Sequence, residues 1–211
     1  MEYYDLYDTF LSLLITLIII MDPFGNLPFF LLFTENNTSQ EKKRLAIVST
    51  FSAFLILSFF GISGDLILRF FHISIEAFQI AGGFIFFIYA LQMLKLIPGG
   101  IKTTIEEEEE GIQKENIALV PLATPLLAGP GAITAVMVWQ KSLHNPLNFA
   151  LLILAIMLSC ACVFLVFWFG NTISDRLGIG GLRVLTRLMG LLLSVIAIQF
   201  VISGLEALLN K

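Results

Sequence analysis

The chain has 211 residues, 57% of them hydrophobic and only 13% charged, with a formal net charge of −4. Soluble domains carry roughly a quarter charged residues, and a chain this short has too little interior to hide so much apolar surface, so a soluble fold is excluded and lipid is the solvent. Five of the 16 acidic residues lie in one run, Glu106 to Glu110, enough to account for the net charge of −4, so that charge describes a solvated loop rather than a field, and no basic face for nucleic acid is present.

The first 21 residues resemble a signal peptide in their apolar run. However, Glu2, Asp5 and Asp8 stand where positive charge is required, and no small-residue cleavage pattern follows. They read as the start of the first membrane span. About 20 apolar residues cross the hydrocarbon, and Thr9 to Thr34 meets that length with Asp22 as its one charged residue deep inside. Charge-free windows at Leu45 to Gly64, Ala77 to Leu94, Ile117 to Gln140, Asn145 to Ser174 and Leu188 to Leu205 bring the expected number of spans to six.

Span 1 contains Asp22-Pro23-Phe24-Gly25-Asn26-Leu27-Pro28, where two prolines and a glycine interrupt the helix in mid-bilayer. Span 4 contains Pro121 and then Pro125-Leu126-Leu127-Ala128-Gly129-Pro130-Gly131, a second concentration of helix breakers at the same depth. Irregular backbone survives in a membrane only where it is buried in protein or lines a polar cavity, so two such breaks predict one shared cavity. The half-helix after each break presents N–H groups suited to an anion, and the half before it presents carbonyls suited to a cation. A zwitterion fits both ends.

A carboxylate as deep as Asp22 is costly enough to suggest function, either holding a substrate ammonium or taking a coupling proton. The plainer alternative is that Asp22 caps the helix that begins at Pro23. Asn26, Thr124 and Thr134 are weaker candidates, because short polar side chains in membrane helices commonly bond nearby backbone. Single kinks and glycines can equally serve helix contact. Cys160 and Cys162 sit two apart in an apolar stretch and read as packing residues, and His72 and His144 lie at span edges with no metal-ligand spacing around them. Gln92 and Gln199 read as hydrogen-bonding glue between helices.

The longest hydrophilic connection separates three spans from three, so the halves must insert with opposite orientation. The expected fold is an all-α membrane protein of six transmembrane helices arranged as two inverted three-helix repeats, with helices 1 and 4 discontinuous. Residues 1–97 form the first repeat, 98–115 an acidic cytoplasmic linker and 116–211 the second repeat. A shift of 107 residues superposes the spans and pairs Pro23 with Pro130, Arg69 with Arg176, Gly83 with Gly190, Ala90 with Ala197 and Gln92 with Gln199. Identity alone carries little in so Leu-, Ile- and Phe-rich a chain, and the argument rests on the coincidence of spans and breaks.

Lys42, Lys43, Arg44, Lys95, Lys102, Lys114, Arg176, Arg183 and Arg187 fall on one side of the membrane, and Arg69, Lys141 and Lys211 on the other. The positive-inside rule then puts both termini outside the cytoplasmic membrane and the basic loops within.

MDPFGNLP at 21 to 28 and PLATPLLAGPGAIT at 121 to 134 resemble the paired signatures of the MarC/SnatA family of prokaryotic membrane proteins. Ile80-Ala81-Gly82-Gly83 and Arg187-Leu188-Met189-Gly190 also resemble family segments, so the similarity covers nearly the whole chain outside the acidic loop. The resemblance implies the six-span inverted repeat and a transport role for small neutral amino acids such as glycine or alanine. Matched by motif, the site residues it implies are Asp22, Pro23, Gly25, Asn26 and Pro28 with Pro125, Gly129, Pro130 and Gly131; Thr134 joins them from the residue reading above.

The expected activity is therefore alternating-access transport at a midplane site, with a small neutral amino acid as substrate, a proton or sodium ion as the candidate coupling ion, membrane lipid as surroundings and no cofactor. A channel would need a polar stripe through several spans, and an intramembrane enzyme a second acid, a nucleophile with its base, or metal ligands beside Asp22. A scaffold subunit would leave the matched breaks without a purpose.

Overall fold

A computed structural model of the chain describes residues 2–35, 37–97, 122–124, 127–142 and 146–209. Among them every regular element is a helix: α1 (Glu2–Met21), α2 (Pro23–Phe33), α3 (Ser39–Phe70), α4 (Ile75–Met93), α5 (Pro130–Ser142), α6 (Pro146–Trp168) and α7 (Gly170–Leu209). α7 bends at Gly178, whose φ of 62° is a backbone conformation that side chains disfavour. The acidic run and the linker of residues 98–115 lie outside the described residues.

Local chemistry sets the helix ends. Before α3, the Thr38 hydroxyl accepts from the Glu41 N–H at 3.3 Å, and the Glu41 carboxylate accepts from the Thr38 N–H at 2.7 Å, a reciprocal capping box. α3 and α4 end alike, on residues with positive φ, His72 at 55° and Lys95 at 58°. In each case the next N–H reaches back five residues, Ile73 to the Leu68 carbonyl and Leu96 to the Leu91 carbonyl, both at 2.9 Å.

Among the described residues, five segments are long and apolar enough to cross a membrane: Tyr7–Leu31, Ser39–Gly64, Ile75–Met93, Phe149–Trp168 and Gly180–Leu209. The expected fourth span, Ile117 to Gln140, falls partly outside the described residues. Several boundaries differ from the charge-free windows, two of them by six residues or more in the second half of the chain. The fifth crossing ends at Trp168 rather than Ser174, and the sixth begins at Gly180 rather than Leu188, taking in the exposed Arg183 and Arg187. A long basic side chain near a span end carries its charge out to the interface while its backbone stays helical, so a charge marks the edge of the hydrocarbon and not the end of the helix.

The outer surface confirms the solvent. Ile62, Leu66, Phe70 and Val195 are each at least 63% exposed, a band of oil that water would not tolerate. The interior is built from both ends of the chain: Leu13, Leu17, Met21, Leu27 and Phe30 share one core with Ala132, Val136, Leu152, Ile156 and Val163. Small residues close it, with Ala53, Ala135, Ala155 and Ala197 fully buried, because lipid offers little hydrophobic drive and helices associate through close packing.

Contacts between helices follow a regular scheme. α4 lies along α7 and α3 along α6, while α1 packs on both α5 and α6. α5 in turn packs on α3 and α4, and α2 on α7. Where α4 meets α7, a Cβ on Gly83 would stand 2.8 Å from the Ala197 carbonyl oxygen, and one on Gly190 would stand 3.3 Å from the Ala90 carbonyl oxygen. The two backbones thus approach at a glycine of each helix, and each glycine meets the other helix's alanine carbonyl.

Candidate functional site: two breaks in the helices

At the first break the interruption is confined to one residue. Asp22 has φ 39°, in the left-handed region that Asp tolerates better than most residues. Its N–H still donates to the Ile18 carbonyl at 3.0 Å, closing α1, and its carbonyl accepts from the Asn26 N–H at 3.0 Å, opening α2. Pro23 follows as the first residue of α2, where its missing N–H costs nothing.

Gly25 and Pro28, expected to extend the break, lie within α2. A membrane helix tolerates the carbonyl that an interior proline frees, because neighbouring groups re-satisfy it.

Side chains complete this joint from both directions. The Asp22 Oδ1 accepts from the Gly25 N–H at 3.0 Å, which is N-cap geometry on α2. The Asn26 Nδ2 donates to the Met21 carbonyl at 2.8 Å, satisfying the last residue of α1. The Asp22 carboxyl fills the space a Cβ on residue 25 would need, so the cap requires glycine there. Asp22, Pro23, Gly25 and Asn26 are buried, and Pro28 is exposed.

The second break is longer. Leu122–Thr124 is wound as a π-type turn, and the Ala128 N–H donates to the Ala123 carbonyl five residues back at 2.9 Å. Gly129 follows, with its carbonyl accepting from the Ile133 N–H at 3.1 Å, and Pro130 opens α5. Gly129 thus stands where Asp22 stands in the first break, ahead of a proline and four residues ahead of its donor, but with no side chain to cap the helix.

The remaining candidates of this break divide. Gly131 is buried against the ring of Phe86 on α4, which occupies the place of its missing Cβ. The Thr134 hydroxyl donates to the Pro130 carbonyl at 2.8 Å, and its methyl fills the place of a Cβ on Gly82. Both make contacts that hold α5 on α4. Gly129 is buried, Pro130 is exposed, and Pro125 lies outside the described residues.

Each of these hydrogen bonds stays within its own break. Apolar contacts join the two breaks: Met21 and Leu27 share a core with Leu122, Leu127, Ala128 and Ala132. Reasoning from the sequence missed Phe86, and it met Gly82 only within the family-like run Ile80-Ala81-Gly82-Gly83, with no role at this site. It also missed the buried Glu76, which sits in the first turn of α4, where a helix dipole favours negative charge.

Comparison with known proteins places this chain in a family. The profile described as MarC family integral membrane protein matches residues 7–209. The chain is similar to a UPF0056 membrane protein of Methanocaldococcus jannaschii, with 40% identity over 90% of this chain and 92% of the relative. A UPF0056 membrane protein of Aquifex aeolicus is 38% identical over 95% of this chain and 94% of the relative. One from Buchnera aphidicola is 35% identical over 98% and 96%. No solved structure matches the chain.

Proposed function

Since the chain belongs to the MarC family of integral membrane proteins and spans the membrane several times, we propose that it is a secondary transporter of small neutral amino acids. In this reading it works by alternating access around a midplane site between the two breaks. The observation that carries the reading is Gly129: a buried helix start in mid-membrane with no capping side chain of its own, suited to a substrate carboxylate. Asp22 supplies the complementary charge for a substrate ammonium or a coupling proton, with one oxygen held by Gly25 and the other facing its α-carbon. Pro23, Gly25, Asn26 and Pro28 shape one side of the proposed site, and Pro130, Gly131 and Thr134 the other. The substrate class comes from the family resemblance.

The helix contacts support an arrangement of two inverted halves. Exchanging the halves turns α2 on α6 into α5 on α3, and α2 on α7 into α5 on α4, and all four contacts exist. The shift of 107 residues that pairs Gly83 with Gly190 and Ala90 with Ala197 also carries one glycine-to-carbonyl contact onto the other. Paired halves of this kind allow one to rock against the other around a fixed site. The protein is assigned to the cytoplasmic membrane with both termini outside, on the distribution of lysine and arginine.

The test is uptake into proteoliposomes with a panel of labelled amino acids, with and without proton or sodium gradients. Saturable uptake of glycine or alanine is expected, stimulated by one of the two gradients. Absence of uptake for the whole panel under every gradient would overturn the proposal, and a gradient-independent ion conductance would favour a channel.

A further inference from the structure

Away from the breaks, a cavity of about 130 Å³ opens where the end of α2, the start of α3, the end of α6 and the start of α7 meet. Its lining is divided. Phe30 and Phe167 form an apolar wall, their rings stacked at 4.3 Å between centroids and 11° between planes. Ser39, Lys42, Lys43, Asn171 and Thr172 supply polar groups. Trp168 stands between the two, with the Lys43 Nζ 4.4 Å above its ring.

Two lysines held together repel, and each needs a counter-charge. Among the described residues neither is paired with a carboxylate, and Glu41, the acid nearest in sequence, is held by Thr38 in the capping box. The cation–π contact fixes the direction of Lys43 without neutralising it. The cavity lies at the ends of the crossing segments, which stop at Leu31 and Trp168 and begin at Ser39, and so it sits at the height where lipid phosphates lie. A tryptophan at a span end belongs to that same layer.

We infer that this cavity is a binding site for the phosphate headgroup of an anionic phospholipid. The lysine pair and the hydroxyl and amide groups of Ser39, Thr172 and Asn171 take the phosphate and its polar substituent, above a floor formed by the buried Phe30–Phe167 stack. Basic pockets between membrane helices hold acidic headgroups by this combination of charge and shape. The inference is independent of the transport reading, because no residue of the proposed substrate site lines the cavity.

The experiment measures the melting temperature of the whole protein in neutral detergent during titration with short-chain phosphatidylglycerol, phosphatidylcholine or inorganic phosphate. Native mass spectrometry of the same samples counts bound lipid. Phosphatidylglycerol is expected to raise the midpoint saturably, since a ligand of the folded state stabilises it by mass action. Its affinity should fall roughly fivefold for Lys42→Gln or Lys43→Gln alone and roughly 25-fold for both.

The charge-preserving double variant K42R/K43R should keep most of the affinity, and R183Q/R187Q should leave it unchanged, which separates the cavity from general surface charge. Equal shifts with phosphatidylcholine, or an unaltered shift in the double glutamine variant, would overturn the inference. A full shift with inorganic phosphate alone would overturn the lipid as its source. If the double variant does not fold, the single variants and selective retention of phosphatidylglycerol by wild type in the mass spectrometer still decide the matter.

Discussion

At Asp22 and at Gly129 the chain ends one helical stretch and starts another with a proline. In both places the carbonyl ahead of the proline accepts the N–H four residues on, at 3.0 and 3.1 Å. The backbone is solved alike; the side chains are not. Around the first break Asp22 caps the helix that begins and Asn26 caps the helix that ends, so the joint is satisfied by residues within five positions of one another. Around the second, the cap residue has no side chain and the polar demand of the helix start must be met by something other than its own cap. In the proposed reading, the break that closes on itself serves as a hinge or a fixed charge, and the one that does not takes the ligand.

The largest expected effect tests the packing of the second break. Gly131→Ala puts a methyl where the Phe86 ring lies, and overpacking a close-fitted core costs about 1–3 kcal/mol. Unfolding in detergent should show that loss with or without substrate, and Phe86→Leu should recover part of it, a coupling that a double-mutant cycle measures. If the loss is small and substrate affinity falls instead, Gly131 belongs to the ligand site and not to the helix contact.

A smaller effect probes the first break. Gly25→Ala displaces the Asp22 carboxyl and so removes the N-cap, at about 1–2 kcal/mol. In an Asp22→Ala background the same change should cost almost nothing, because there is no carboxyl left to displace. Equal costs in the two backgrounds would mean that the glycine is required for a reason other than the cap.

The smallest stability changes come from exchanging the character of the breaks, and these carry the functional comparison. Asp22→Asn preserves the cap, and Gly129→Ser adds one, so each should alter stability by only a few tenths of a kcal/mol. Transport should respond otherwise. Asp22→Asn removes the charge and is expected to abolish or uncouple uptake, while Gly129→Ser places a hydroxyl on the N–H groups meant for substrate and is expected to raise KM about tenfold. Normal uptake by Asp22→Asn would reduce Asp22 to a cap, and normal KM in Gly129→Ser would remove the anion site from the second break.

Composition and spacing by themselves determined that lipid surrounds this chain, roughly where five of its spans run, and that the helices are interrupted near Asp22 and Gly129. These features are legible because they are local or additive: hydropathy sums along a window, and proline breaks a helix within one turn. The capping role of Asp22 was also legible as an alternative, since its partner Gly25 is three residues away.

Only the tertiary structure decided what the glycines are for. A glycine leaves the same gap in the sequence whether a ligand, a ring or a backbone fills it. The Phe86 ring against Gly131, the Thr134 methyl against Gly82, and the carbonyls of Ala197 and Ala90 against Gly83 and Gly190 all come from residues dozens of positions away. The lysine cavity was hidden for the same reason. Lys42 and Lys43 read in the sequence as an orientation signal with a lipid headgroup contact, but only the fold brought Trp168, Asn171 and Thr172 beside them, and no local pattern encodes which helix end will meet which.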